Sequence, residues 1–341
     1  MSTISGSFSE TTLLEQRVLA ESLMFDDRIK QQYIPNIAII PALKSIQTAN
    51  VMAVGRAAKK DVDVEVIWQN VCGREAEECG GCNIGGNPSY TNAEDYALSW
   101  CRDYNFSENE EDYLTNEFDI DTAVAKQLIM ADKTLSEAYA RYTVAQLEAF
   151  KGINALNTNA KGIVQGSDTF IEPAFWSASL VAYFNRVAIL NKLTSPIMIS
   201  GNNLYEQFIV SQASYANAGG KGDWNLWGSL KMFFDLFNID TVNYPNLVTY
   251  MLSMGSVALA NKFYNPGVPA RGFEMTRYTM PSQFIPGFTF DVFYKDSCTE
   301  QNRLTKHDYT VRLKADLFLN PFGCDEGNTG ILSFTCGTPT P

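Results

Sequence analysis

Between Asp121 and Gly152 the chain contains neither proline nor glycine, and small or apolar residues recur in steps of four and three. Val124, Leu128, Ala131, Leu135, Ala138, Tyr142, Ala145 and Ala149 fall on that spacing, which puts them on one stripe of a helix. Asp121 stands where an N-cap oxygen is useful and Gly152 where a left-handed stop is cheap. The spacing predicts one helix over 121–151. At 1.5 Å per residue it runs about 45 Å, long for a globular protein, and its alanines suit close contact with a sheet. A coiled-coil or core helix would show the same stripe.

N-terminal to this rod, residues 11–31 read as an amphipathic helix. Thr12 and Glu15 have capping-box spacing, and Leu14, Val18, Leu19, Leu23 and Met24 recur at helical intervals. Ile34–Ala42 contains Pro35 and Pro41 and reads as extended. Val62, Val64 and Val66 alternate with acidic residues, predicting a half-buried strand over 61–68. Onward to residue 115 the apolar periodicity is scarce. Residues 72–88 are rich in Gly, Cys and Glu, residues 90–106 mix aromatics with polar groups, and Ser107–Asp112 is almost purely acidic. So long a stretch with little core of its own is expected to project and lie on a neighbouring subunit.

After the rod and a Gly/Asn-rich connector (154–167) the pattern becomes mixed. Glu172–Leu193 reads as a helix with Phe175, Leu180, Phe184 and Leu190 inward, Ile197–Ile199 as a buried strand, and Asn203–Ser214 as a further helix. Ala216–Asp223 reads as a glycine-rich turn, Met232–Ile239 and Leu247–Leu252 as strands, and Val257–Phe263 as a short helix. The end of the chain is β-rich, with strands expected at Phe288–Tyr294, Asp308–Asn320 and Ile331–Cys336. The fold class is α+β.

The chain has 341 residues and a formal net charge of −12, with a pI near 4.7. That excludes a general basic surface for nucleic acid, although an acidic wall can surround packed DNA without adhering to it. Met1–Glu10 lacks the basic start and apolar run of a secretory signal, and no apolar stretch nears the roughly 18 residues of a spanning helix. Seven cysteines, an odd number, suit a reducing compartment. The protein is expected to be made and folded in cytoplasm.

A single histidine, His307, removes most His-dependent catalytic and metal constellations, and it reads as a surface or turn residue. Gly219–Gly222 lacks the Ser/Thr and spacing of a phosphate loop, Gly80–Gly86 lacks dinucleotide spacing, and Glu110/Glu111 lie in a solvated acidic run. No catalytic residue is nominated, and an enzyme is not expected. One cluster is sharper. Cys79-Gly-Gly-Cys82 has zinc-knuckle spacing, and with Cys72 and Cys101 it offers four thiolates for a closed tetrahedral site. Free thiols and disulfides are the alternatives. A redox-active pair is disfavoured because Glu77 and Glu78 raise thiol pKa. Structural zinc aside, no cofactor is expected.

The order of elements resembles the major capsid protein of tailed double-stranded DNA phages, the Hong Kong 97-type fold. Carrying the resemblance are the helical arm, the long loop, the rod at Thr122–Lys151, Ser200-Gly201-Asn202-Asn203-Leu204-Tyr205 after a strand, and a closing segment. That segment comprises Asn302-Arg303-Leu304-Thr305, the strand Tyr309–Phe318, Asn320-Pro321 and Gly330–Phe334. The resemblance implies an N-terminal arm over 1–34, an extended loop region with strands over 35–115, and a peripheral domain with its spine helix over 116–159. It further implies an axial domain over 160–285 and a returning β segment over 286–341 that completes the peripheral domain. It implies a self-assembling icosahedral shell around DNA, built from hexamers and pentamers, with portal and scaffold or decoration proteins as partners and no membrane. Scaffolding would be a separate protein or unnecessary. No residue pair matches the covalent cross-link of some members. Another virion protein of tail or head completion, and a zinc-stabilised binding module, are the alternative readings.

Overall fold

The computed structural model describes residues 16, 19–20, 34–53, 63–69, 91–113, 120–154, 161–176, 180–201, 204–205, 226–227, 230–239, 248–263, 276–298, 305–321 and 329–338. In chain order the elements are helix α1 (Ile39–Ile46), strands β1 (Asn50–Ala53), β2 (Val64–Gln69), β3 (Thr91–Tyr96) and β4 (Trp100–Asn109), and the one-turn helix α2 (Glu110–Tyr113). The long helix α3 (Ile120–Phe150) follows, then β5 (Gly162–Gln165), β6 (Asp168–Ile171), a 3-10 turn (Pro173–Phe175), helix α4 (Leu180–Leu190) and β7 (Ile197–Ser200). The remainder is strand: β8 (Leu226–Trp227), β9 (Leu230–Phe234), β10 (Val248–Leu252), β11 (Val257–Asn261), β12 (Thr276–Pro281), β13 (Thr289–Cys298), β14 (Thr305–Leu319) and β15 (Ile331–Cys336). The described chain is thus mixed helix and sheet, and rich in sheet. It divides into two units, each assembled from separate stretches: the first from Met1–Pro35, Leu98–Tyr139 and Asn261–Asp316, the second from Asn36–Ala97, Ala140–Ala260 and Leu317–Pro341.

In the first unit β4, β14, β13 and β12 lie side by side, all antiparallel. The β4–β14 register runs without a break from Lys306↔Asn109 to Ala315↔Trp100. Along β14, His307, Tyr309, Val311, Leu313 and Ala315 are buried, while Lys306, Asp308, Thr310, Arg312 and Lys314 alternate with them on the more open face. This is the period-2 pattern of a sheet with one covered side. The core of the unit takes Val124, Leu128, Ala131 and Leu135 from α3. Tyr139 closes it: its ring lies 5.2 Å from that of Trp100 and 5.5 Å from that of Phe288, and its hydroxyl donates to the Asp316 carbonyl at 2.7 Å.

The second unit holds a seven-stranded mixed sheet in the order β5-β6-β15-β10-β7-β9-β8. Helix α4 contributes Leu180, Tyr183, Phe184 and Val187 to its core, with Met198, Met251 and Phe334 from the strands. Phe184 and Phe334 meet edge-on at 4.9 Å, a favoured geometry for aromatic pairs. A smaller sheet, β1-β2-β3, buries Val64, Val66 and Trp68, and the Trp68 indole donates to the Tyr96 hydroxyl at 3.0 Å.

Several expectations are corrected. Ile34–Ala42, read as extended, contributes the start of α1. Pro41 occupies the first turn, where the backbone N–H it lacks would have no partner within the helix. Val257–Asn261 is a strand and not a helix. Residues 257–260 are all buried, so no alternation betrayed the period. The helix expected over 172–193 is present only as the 3-10 turn and α4, with Phe175 exposed. Residues 90–106, which showed no strand signal, supply β3 and most of β4. The predicted stripe of α3 holds through Leu135 and then fails. Tyr142 and Ala145 are half-buried and Ala149 is exposed, whereas Ala140, Thr143, Val144 and Leu147 are buried. The change coincides with the passage of α3 from the first unit, which takes it to Tyr139, into the second. Most of the helices expected over 11–31 and 203–214, and the turn at 216–223, lie outside the described residues.

Leu135 is 3% exposed, and truncating a buried leucine typically costs about 2–5 kcal/mol. Denaturant melts should show Leu135→Ala losing stability in that range. Lys133→Ala, at a half-buried charged position of the same helix, should stay within about 0.5 kcal/mol of the parent.

Candidate functional site

Among the described residues of the first unit, a polar network begins at the chain's one histidine. His307 is fully buried, which corrects its reading as a surface or turn residue. It shares the odd phase of Tyr309, Val311 and Leu313 on β14, and that parity was the available signal. Its Nδ1 lies 2.7 Å from the Tyr294 hydroxyl and its Nε2 3.3 Å from Glu110 Oε1. Glu110 Oε2 also accepts the Thr305 N–H at 3.0 Å, so the carboxylate at the head of α2 closes over the start of β14. Glu110 is therefore more than a member of a solvated acidic run.

From there the network continues through rings. Tyr294 and Tyr309 lie 5.1 Å apart, and Phe106 stacks on Tyr309 at 4.8 Å and 6°. The Tyr309 hydroxyl donates to Gln16 Oε1 at 3.1 Å, and Gln16 Nε2 donates to Asp121 Oδ1 at 2.7 Å. One buried glutamine from the N-terminal stretch thus joins the head of α3 to β14. Burial pushes the Tyr294 and Tyr309 phenols well above their ordinary range, so both remain neutral near neutral pH.

A second centre lies on α3. Asp132 is 1% exposed and accepts from Ser136 Oγ at 3.1 Å, Ser282 Oγ at 2.8 Å and the Gln283 N–H at 2.7 Å. It anchors the turn that follows β12. Burial raises its pKa from 3.8 to about 6, against the opposing pull of those three donors. In the second unit Lys151 bridges Glu148 and Asp168, reaching both Asp168 oxygens at 2.8 Å. Ser333 donates to the same aspartate at 2.8 Å, and the Tyr250 hydroxyl donates to Glu148 at 2.6 Å. Burial alone would lower the Lys151 pKa; the hydrogen bonds to both carboxylates outweigh it and raise it.

Chemically these centres fasten chain segments together. His307 has no exposed surface, and its ring meets the Tyr294 phenol and the Glu110 carboxylate. Of the four proposed zinc ligands, Cys72, Cys79 and Cys82 lie outside the described residues. Cys101 is a half-buried free thiol on β4, opposite Lys314. Among the described residues no group of three or more His, Cys, Asp or Glu could hold a metal. No helix among them is long and apolar enough to cross a membrane.

No protein-family model matches the sequence. No curated protein matches it. Several solved structures are similar. One is a chain of the bacteriophage PhiM1 mature capsid, with a TM-score of 0.45 and 6% identity, covering 86% of this chain and 85% of that one. Another belongs to the capsid of the cyanophage P-SCSP1u, with a TM-score of 0.43 and 8% identity over 81% of this chain and 83% of that one. A chain from Mycobacterium phage Che8 gives a TM-score of 0.42 and 11% identity over 84% and 92%.

Because the folded Asp132 holds its proton up to about pH 6 and the unfolded residue releases it near 3.8, the native state binds more protons between those values. The Asp132 contribution to stability therefore rises as pH falls through 6 and is lost as pH climbs. Urea melts across that window should show a shallower pH slope for Asp132→Asn. Independently, metal analysis of protein purified under reducing conditions tests the four-thiolate reading: about one zinc per chain, lost in Cys79→Ser, is expected.

Proposed function

We propose that this chain is the major capsid protein of a tailed phage, a subunit that assembles through copies of itself into an icosahedral shell enclosing double-stranded DNA. One observation carries the reading. A 31-residue helix is followed by a mixed α/β lobe, and a 15-residue strand then returns beside the strand that precedes the helix. That is the element order of the resemblance, in which a peripheral part built around a spine helix is completed from the far end of the chain. Supporting it, the titratable groups at the centre of the first unit are spent on internal hydrogen bonds, as suits a part selected for shape.

On this reading the subunits form hexamers and pentamers in the host cytoplasm. Portal and separate scaffold or decoration proteins join them, and DNA is held inside without sequence-specific contact. The acidic balance of the chain keeps the wall from adhering to its contents. Size-exclusion chromatography with light scattering, followed by electron microscopy of concentrated protein with any scaffold supplied, should show rings or closed shells. A chain that stays monomeric under all these conditions is not a capsid subunit.

A further inference from the structure

Asp132 carries a set of hydrogen bonds that its own protonation cannot leave intact. Its Oδ1 accepts from Ser136 Oγ of the same helix and from Ser282 Oγ, and its Oδ2 accepts the Gln283 N–H. Ser282 and Gln283 open the turn at 282–287 that leads from β12 toward β13. That turn is built around the Ser282 hydroxyl, which accepts the N–H groups of Phe284 at 3.2 Å and Ile285 at 2.9 Å. The Ser282 N–H donates to the Phe288 carbonyl at 2.8 Å, and the Phe288 N–H donates to the Ile285 carbonyl at 3.0 Å. Gln283, Pro286 and Gly287 are exposed at its tip.

The lone pairs decide where an added proton can go. A serine hydroxyl has one proton to give and two lone pairs to fill. Ser282 Oγ fills both with N–H groups of the turn, so it donates to Asp132 and can accept nothing back. The Gln283 N–H is a donor only. A proton on Asp132 therefore finds no acceptor on the turn side. Ser136 Oγ makes no other bond among the described residues than the one it donates to Asp132, and it can receive that proton. Neutralising the carboxylate also turns the charge-assisted bonds from the turn into neutral ones, roughly half as strong.

The described groups that face this carboxylate are uncharged. Leu128, Ile129, Leu135 and Ser136 lie on its side of α3, and the turn supplies Ser282 and Gln283. Lys133 and Glu137 project about 100° and 140° round the helix from it. Tyr139, two turns on, gives its hydroxyl to the Asp316 carbonyl, and the Asp316 carboxylate takes the Ser99 N–H and hydroxyl. Burial raises the Asp132 pKa to about 6, which places its proton exchange in mildly acidic solution.

We infer that Asp132 is a proton-operated clasp on the turn at 282–287. As the carboxylate it holds the turn to α3; as the acid it donates to Ser136, and the turn loosens while the helix stays in place. The clasp lies wholly within the first unit and needs no second copy, so it stands or falls apart from the capsid reading.

Hydrogen–deuterium exchange of the full chain, kept dilute and unassembled, reads the clasp directly. Corrected for the intrinsic pH dependence of exchange, the Gln283, Phe284 and Ile285 amides should lose about fivefold in protection between pH 7 and pH 5. Global stability moves the other way over that interval, because the folded pKa lies above the unfolded 3.8 and the native state takes up the proton. Amides of the β13–β14 ladder should therefore hold or gain protection as the turn loses it. Asp132→Asn keeps the shape and cannot titrate. Its turn protection should not change with pH and should lie near the parent's acid value. Turn amides whose protection stays level or rises with the ladder from pH 7 to pH 5 would overturn the clasp, as would an undiminished pH response in Asp132→Asn. If that variant does not fold, the opposing trends of turn and ladder in the parent decide the matter alone.

Discussion

Ten consecutive register positions between β4 and β14 hold the first unit together. They pair stretches about two hundred residues apart, and the centre of the unit is arranged around them. The pairing places Phe106 on Tyr309 and Glu108 opposite His307, and it directs the buried side of β14 toward the core that α3 shares. A one-residue slip would turn His307, Tyr309 and Val311 to the open face and bring Lys306, Asp308 and Thr310 inward. Burying those charges without partners costs far more than the ladder returns. The register is set by that penalty.

The buried polar groups act as rivets within each unit. Gln16 joins an N-terminal residue to Asp121 and Tyr309. Asp132 fixes the turn after β12, and Asp235 caps α1 from 196 residues away. Each works because a buried donor or acceptor left unmatched is costly, so the correct segment is recognised by what its absence would leave exposed. Chain stretches with no sequence proximity are selected for one another in this way. Ion pairs on open surface, such as Arg312 with Asp103 at 2.7 Å, add less, because water competes for both partners.

Local periodicity made part of this legible. The long helix could be read to within a residue at each end, and the buried strands at Ile197, Val248 and Ile331 were visible as apolar runs. What escaped depended on distant partners. Pro41 reads as a helix breaker until it is seen in a first turn whose cap comes from Asp235. β4 is mostly polar because one side faces water and the other is completed by Tyr104 and Phe106, so no hydrophobic signal announced it. The phase of α3 beyond Tyr139 followed a change of surroundings that spacing alone does not encode. In the polar centres, His307 was recoverable from the parity of β14. Gln16, Asp132 and Asp235 carried no signal, since a buried carboxylate or amide is identified by its partners.

The separation of β4 from β14 also has a consequence in time. A ribosome adding about 5–20 residues per second needs about 10–40 seconds to cover the 195 residues between Glu110 and Thr305. Throughout that interval β4 has been made and its partner has not. A waiting strand rich in apolar side chains would recruit whatever edge it met, including the same strand on a neighbouring nascent chain. β4 waits with Arg102, Asp103, Asn105, Ser107 and Asn109 along its length, charged and polar groups that discourage such encounters. The composition that hides this strand from a reader of the sequence also keeps it out of trouble until synthesis reaches its mate.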